Sequence, residues 1–515
     1  MSGISSGLSH CPQREITLFA FDDFSLPLTH HLQLSLTPAE KFSGNPVLRH
    51  GRPGDVDEGG ASFYGTVILE GDLLRMWYLA FIPNGYFSPG SRGPLWIAYA
   101  ESRDGVHWKK PSLGLVEWKG SKENNIVWTL KPVHKYRAAQ GSGDPHDTEK
   151  YSPHTDYPAV ILDPEDPDPS RRYKMVHVDY EQDKVFEHPQ TPKGPITFPC
   201  PTLHTAVSPD GIHWREMPGN PQIHGKFEAS GLYKFNGMYH ATGQQFSPWT
   251  YFRDGSKCMG RTTIVYRSPD FERWEKGGFA GFDRTHVAKG EESHMGPGIL
   301  NKGNVLVGLY GQWHDADTWE TVRMDIGLIV SNDGLHFREP VPSFKFLARE
   351  EDSLRWEPSG KAHRAIVQGN GIVNFGERTC IWYSTWDVFG NIGMATLPRE
   401  RFGQLALRGD EKEGYVLSCP LDAAGKPARL FLNVSDLSPD NALVVEVNDA
   451  CGRPLGRYCG DECIPVTASG FRVPVRWKST DTISAPGPFS LRVHFSREGG
   501  KSPQLHALYV SSLEK

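Results

Sequence analysis

The chain has no apolar run near the roughly 18 residues that a membrane-spanning helix needs, so no span is expected. It also lacks a basic surplus: 55 Lys and Arg stand against 61 Asp and Glu, a net charge of −6. A nucleic-acid partner, which rewards basic clusters through counterion release, is therefore not expected. The 8 cysteines include no Cys-x-x-Cys pair, which argues against structural zinc. Cys451, Cys459 and Cys463 lie close in sequence and read as free thiols with at most one local bridge. The opening MSGISSGLSHCPQREITLF has neither the basic nor the apolar region of a secretory leader, so a cytoplasmic location is expected. On that reading the sequon at Asn433 stays unused. No phosphate-cradling glycine loop and no nucleophilic Ser–His pattern occurs, and no cofactor or metal ion is indicated.

Turn formers and tryptophan are abundant, with 54 Gly, 40 Pro and 14 Trp. Without low-complexity runs, so much Gly and Pro implies many tight turns between short strands. Large aromatics suit strand packing, and they also suit platforms for the apolar faces of sugars. At 515 residues the chain exceeds one ordinary core, so two domains are expected.

One motif recurs. It reads SRDGVHW at 102–108, SPDGIHW at 208–214, SPDFERW at 268–274 and SNDGLHF at 331–337, each after an apolar run such as WIAYAE or IGLIV. Asp-Gly supplies a tight turn and the aromatic opens the next strand. The later copies stand about 60 residues apart, room for four strands and their turns, as in a propeller blade. A degenerate fifth copy is NIGMATLPRERF at 391–402, and the long first interval holds insertions near 117–153 and 181–200. Each copy is preceded by a hairpin whose first strand is short, apolar and glycine-bearing, as crowding around a central axis requires. After about residue 405, segments such as ARLFLNVS, ALVVEVND and FSLRVHF alternate apolar and polar residues. The expectation is an all-β chain: a five-bladed β-propeller over 1–405, including an N-terminal lead-in, then a C-terminal β-sandwich over 406–515.

In a propeller, the residues that open each innermost strand line one mouth of the central funnel. Three residues before Gly65, Pro158, Gly231, Gly298 and Gly371 stand Ser62, Thr155, Glu228, Met295 and Gln368. His154, Asp156, Asp57, Glu58, Glu292, His294 and His363 lie near these positions. Acids, histidines and an amide from five remote segments thus converge, which a purely structural ring has no need of. Glu228 heads an otherwise apolar strand, a costly place for a carboxylate unless it faces the funnel. Trp249, in SPWTYF, is a platform candidate, whereas Trp77, Trp382 and Trp386 read as packing. His107, His213 and His336 belong to the turn motif, and HDADTWE at 314–320 reads as a loop.

The segment KFEASGLYKFNGMYHATG at 226–243 resembles the strand carrying the acid/base glutamate of invertase- and inulinase-type glycoside hydrolases, which places that role on Glu228. HTDYPAVILDPED at 154–166 is similar to their second-blade segment bearing a transition-state-stabilising aspartate, here Asp156. The blade punctuation and terminal sandwich also resemble this superfamily, which includes arabinanase- and xylosidase-type enzymes. The chain departs at blade one, where GRPGDVDEGGASFYG replaces the Asn-Asp-Pro-Asn-Gly that supplies their nucleophile. Asp57 is the nearest substitute, with Asp55 and Glu58 as rivals.

The resemblance implies hydrolysis of a furanoside or related small glycoside, with Glu228, Asp156 and Asp57 catalytic. Glu58, His154, Glu292, His294, His363, Gln368 and Trp249 would then bind the sugar. The alternatives are a non-catalytic carbohydrate-binding propeller and one recruited to another small-metabolite reaction, such as isomerisation or cyclisation. A close acid pair in the funnel separates the first from the second.

Overall fold

The computed structural model describes residues 15–81, 95–128, 155–188, 196–223, 227–246, 261–284, 290–315, 323–350, 365–385 and 390–513. His154, Trp249 and His363 lie outside the described residues. The regular structure described is almost entirely strand. It opens with β1 (Glu15–Phe19), β2 (Leu28–His30), β3 (Leu32–Leu36) and β4 (Glu40–Lys41). Four meanders follow: β5–β8 (Gly60–Glu70, Leu73–Phe81, Leu95–Ser102, Ile126–Trp128), β9–β12 (Asp156–Leu162, Tyr173–His188, Ile196–Ser208, Arg215–Glu216), β13–β16 (Glu228–Phe235, Met238–Phe246, Arg261–Ser268, Phe279–Phe282) and β17–β20 (Glu292–Asn301, Leu306–His314, Arg323–Ser331, Lys345–Leu347). A fifth is built from β21–β23 (Ile366–Phe375, Arg378–Thr385, Ile392–Pro398), with β4 pairing on its outer edge. The first strand of each meander packs on the next in a closed circuit, β5 on β9, β9 on β13, β13 on β17, β17 on β21 and β21 on β5.

These inner strands approach too closely for ordinary side chains. A Cβ on Gly298 would lie 2.0 Å from the Gly369 carbonyl oxygen, and one on Gly231 would lie 2.6 Å from that of Pro297. All five inner strands break register at the same height, between Ser62 and Thr66, Asp156 and Ala159, Ala229 and Gly231, His294 and Gly298, and Gln368 and Ile372. Such bulges re-aim the side chains beyond them. The polar heads of the inner strands stand at that height.

The recurring turn owes its shape to local side-chain bonds. Ser102 Oγ accepts the Gly105 N–H at 2.9 Å, while Asp104 Oδ1 accepts those of Val106 at 2.9 Å and His107 at 2.7 Å. Asp104 Oδ2 meets His107 Nδ1 at 2.7 Å, and the same set recurs around Asp210 and Asp333. The turn glycines Gly105, Gly211 and Gly334 all take φ +77°. In the copy without glycine, Phe271 adopts φ +66°, and its ring is buried against Tyr239 and Trp274. The turn also joins meanders. The Gly211 carbonyl accepts Trp77 Nε1 at 2.8 Å, the Gly105 carbonyl accepts Trp382 Nε1 at 3.2 Å, and the Gly334 carbonyl accepts the Tyr233 hydroxyl at 2.7 Å. In each case the donor belongs to the preceding meander.

After the fifth meander come β24 (Gly403–Leu407), β25 (Glu413–Leu417), β26 (Ala428–Ser435), β27 (Asn441–Asp449), β28 (Gly470–Pro474), β29 (Phe489–Arg497) and β30 (Gln504–Ser512). They form two sheets, β28-β26-β30-β24-β3 with β1 beside β30, and β2-β25-β29-β27. One apolar cluster, with Leu430, Leu508, Val445 and Val493 fully buried, fills the space between them. The lead-in strands β1–β3 therefore pair with C-terminal strands, and a cut at residue 405 falls inside β24. Their alternating apolar residues need this partner: Leu18 and Leu32 are buried in the same cluster. A second cluster joins Phe19, Phe402 and Tyr509 to the fourth and fifth meanders. Beside it, buried Glu400 accepts from Lys302 Nζ at 2.7 Å, the Tyr509 hydroxyl at 2.7 Å and Asn374 Nδ2 at 2.5 Å.

Candidate active site

At the bulge height the inner strands bring polar side chains together around one buried cation. Arg261 opens β15 and is 5% exposed. Its guanidinium lies 3.5 Å from the Trp313 ring centroid and 3.9 Å from Glu292 Oε2, which also meets the Arg261 N–H at 3.3 Å. Burial presses the Arg261 pKa down, while the charges of Glu292 and then Glu228 work the other way, so both carboxylates act on the same guanidinium. Glu228 accepts a hydrogen bond from the Gln244 amide on the adjoining strand.

Aromatic rings wall this cluster. His294 stacks on Trp313 at 4.7 Å, Tyr64 stands 6.2 Å from His294, and Tyr157 meets Tyr64 edge-on at 4.7 Å. Burial, then the positive charge of Arg261, hold the His294 pKa well below its usual range, so its imidazole is neutral. Gln368 Nε2 donates to the His294 carbonyl oxygen at 3.1 Å, tying β21 to β17. Asp156 is 1% exposed and immediately precedes Tyr157, whose φ of +54° bends the head of β9.

The structure thus joins Glu228, Glu292, His294 and Gln368 in one cluster, with Asp156 next to one of its walls. It does not join Asp57. That carboxylate is 1% exposed, and its Oδ2 accepts from the Tyr78 hydroxyl at 2.8 Å and Lys110 Nζ at 2.5 Å, both within the first meander. Glu58 is likewise taken up locally, by the Gly54 N–H at 2.6 Å and by Lys119 at 3.7 Å. Arg49 and Arg52 stand near Asp57 in the sequence, yet its cation is Lys110, which reaches it from the segment between β7 and β8.

Arg261, Tyr64, Gln244 and Trp313 were not among the residues expected from sequence. All four stand off the inner-strand heads that define the funnel mouth, Gln244 and Trp313 on second strands, Arg261 on a third strand and Tyr64 deeper along β5. The signal that picks out Glu228, a charge opening an apolar strand, also picks out Arg261 in RTTIVYRS.

A second charged layer backs the first. Arg284, fully buried, donates to the backbone oxygens of Trp313 at 3.3 Å and Glu292 at 3.5 Å, and pairs with Glu291 at 2.9 Å. His314, expected to lie in a loop, ends β18, between Glu291 at 2.8 Å and Asp325 Oδ2 at 3.2 Å. Burial alone would lower the His314 pKa, but the bonds to Asp325 and Glu291 outweigh it and raise it to about 9. Among the described residues no group of three or more His, Cys, Asp or Glu is arranged to hold a metal ion, and no helix is long and apolar enough to cross a membrane.

No family model matches the chain, and no curated protein matches it in sequence. Solved structures are similar to it. One, from work on GH130-family glycoside hydrolases that target β-1,2-mannosidic linkages in Candida mannan, is 16% identical, covers 71% of this chain and 94% of its own, and has a TM-score of 0.46. A glycosyl hydrolase from Bacteroides ovatus is 14% identical over 71% of this chain and 95% of its own, with a TM-score of 0.45. The Bombyx mori GH32 β-fructofuranosidase is 11% identical over 92% of this chain and 94% of its own, with a TM-score of 0.38.

Proposed function

We propose that the chain is a glycoside hydrolase acting on a furanoside or related small glycoside, built as a five-bladed β-propeller with a β-sandwich, its site lying on the propeller axis. The observation that carries this reading is the sharing of one buried guanidinium, Arg261, by two carboxylates from consecutive inner strands, Glu228 and Glu292.

Glycosidic hydrolysis needs one carboxyl group to protonate the leaving oxygen and another to activate water or attack the anomeric carbon. Glu292, ion-paired to Arg261, suits the carboxylate role. Glu228, bonded to a neutral amide, suits the role that trades a proton. The bond from the anomeric carbon to the leaving oxygen breaks, the proton of Glu228 passes to that oxygen, and water gives its hydroxyl to the anomeric carbon and its remaining proton to the Glu292 carboxylate. Tyr64 and Tyr157 wall the cluster, the Trp313 ring, stacked by Arg261 and His294, fixes the position of that guanidinium, and Asp156 stands beside Tyr157 at the head of β9. Asp57 is replaced in this scheme by Glu292.

A panel of aryl furanosides and pyranosides tests the reading. Glu228→Gln and Glu292→Gln should each lower kcat by about 10²–10⁴ while sugar binding persists. A wild-type protein that binds these glycosides and cleaves none of them refutes it.

A further inference from the structure

Asp57 belongs to a place of its own. Between the 51–58 turn and the 110–125 segment lies a cavity of about 360 Å³, in the size range of small-ligand sites. Its floor is a fixed polar network. Asn125, 4% exposed, donates from Nδ2 to the Tyr78 hydroxyl oxygen at 2.9 Å and the Tyr99 carbonyl at 2.8 Å, and Tyr78 donates in turn to Asp57. Lys110 gives one N–H to Asp57 and another to the Arg49 carbonyl at 2.8 Å. An ammonium has three donors, so one remains for the cavity that Lys110 lines.

One wall is apolar and anchored. Trp118 Nε1 donates to the Gly54 carbonyl at 3.1 Å, and its ring packs 4.9 Å from that of Trp96. Pro111 lies along the same wall, and exposed Ser112 and Glu123 sit at the rim. The cations here are already balanced, Lys110 by Asp57 and Lys119 by Glu58 at 3.7 Å. With Asp55 and Glu123 also on the lining, the cavity carries no positive excess to draw a phosphate or carboxylate. Donors and acceptors in mixture beside an indole and a proline ring suit a molecule whose hydroxyls both give and accept hydrogen bonds and whose C–H face packs on apolar surface.

We propose that this cavity is a second, non-catalytic binding site for a neutral sugar unit, separate from the axial cluster. The claim does not depend on hydrolysis at the axis.

Equilibrium binding of methyl mannopyranoside and methyl fructofuranoside to the full chain tests it, with inorganic phosphate and glucuronate as charged probes. Trp118→Ala removes the wall. Ser112→Trp, at an exposed rim position, fills the mouth with little risk to folding. Each is expected to weaken one saturable neutral-sugar component by roughly ten-fold or more, while Glu228→Gln leaves that component in place. Loss of the component in Glu228→Gln alone would assign the sugar to the axis and overturn the proposal. So would neutral-sugar binding indifferent to both rim and wall variants, or phosphate or glucuronate binding in place of the neutral sugars.

Discussion

Replacing His314 by glutamine should abolish a pH dependence of stability that the wild-type protein carries. His314 is 19% exposed and lies between Glu291 and Asp325, which raise its pKa to about 9 against burial. Lys345 at 2.9 Å from Asp325 and Arg284 at 2.9 Å from Glu291 are the cations facing the same carboxylates. In the unfolded chain the imidazole titrates near its ordinary 6.5, so the folded state binds the proton more tightly. The gap between the two values amounts to about 3 kcal/mol at 1.36 kcal/mol per pH unit. This stabilisation is fully present below about pH 6.5 and fades as pH climbs through about 9. Asp325, drawn down to about 2 with His314 as its main partner, reports that contact from the acid side, so the two effects do not add. Guanidinium unfolding of wild type and His314→Gln between pH 6 and 10 gives the test, since subtraction cancels every other titrating group. The stability difference should shrink by about 3 kcal/mol across that window. Parallel pH profiles for the two proteins would refute the assignment of a charged His314.

Three further substitutions probe the frame. Gly211→Ala puts a Cβ at φ +77° and 2.8 Å from the Trp77 ring, and should cost about 2–3 kcal/mol in denaturant midpoint. Phe271→Gly, at the equivalent turn position, relieves a positive φ worth about 1 kcal/mol but empties a fully buried site worth about 3–5, so it should also destabilise. Glu400→Gln removes the buried carboxylate that accepts from partly exposed Lys302 and from the Tyr509 hydroxyl and should cost about 1–3 kcal/mol, read as a lowered thermal midpoint.

What could be read from the sequence was what the chain builds locally. The Ser-x-Asp-Gly turn depends on bonds spanning three residues, so four of its copies are visible as text, one of them with Phe271 in place of the glycine. Glu228, Glu292, His294 and Gln368 were identifiable because a polar head on an apolar strand is costly without a purpose. Asp57 carried the same signal for a different reason, since Lys110 and Tyr78 satisfy it from elsewhere in the meander. Arg261 carries the same signal but heads a third strand, and Trp313 lies on a second strand, so neither falls among the inner-strand heads the spacing picks out. The pairing of β4 with β23 was beyond reach as well: two residues, Glu40 and Lys41, carry no strand pattern, and their partners lie about 350 positions away.

That pairing bears on how the protein is made. The segment Glu15–Lys41, with Leu18 and Leu32 on its strands, finds its strand partners in β23, β24, β25 and β30, which emerge about 350 or more residues later. Throughout synthesis this apolar leader must wait unpaired, a state prone to wrong association. The second core cannot be completed until β30 has emerged, whereas every strand of the ring, from β4 to β23, is present once Pro398 has been made.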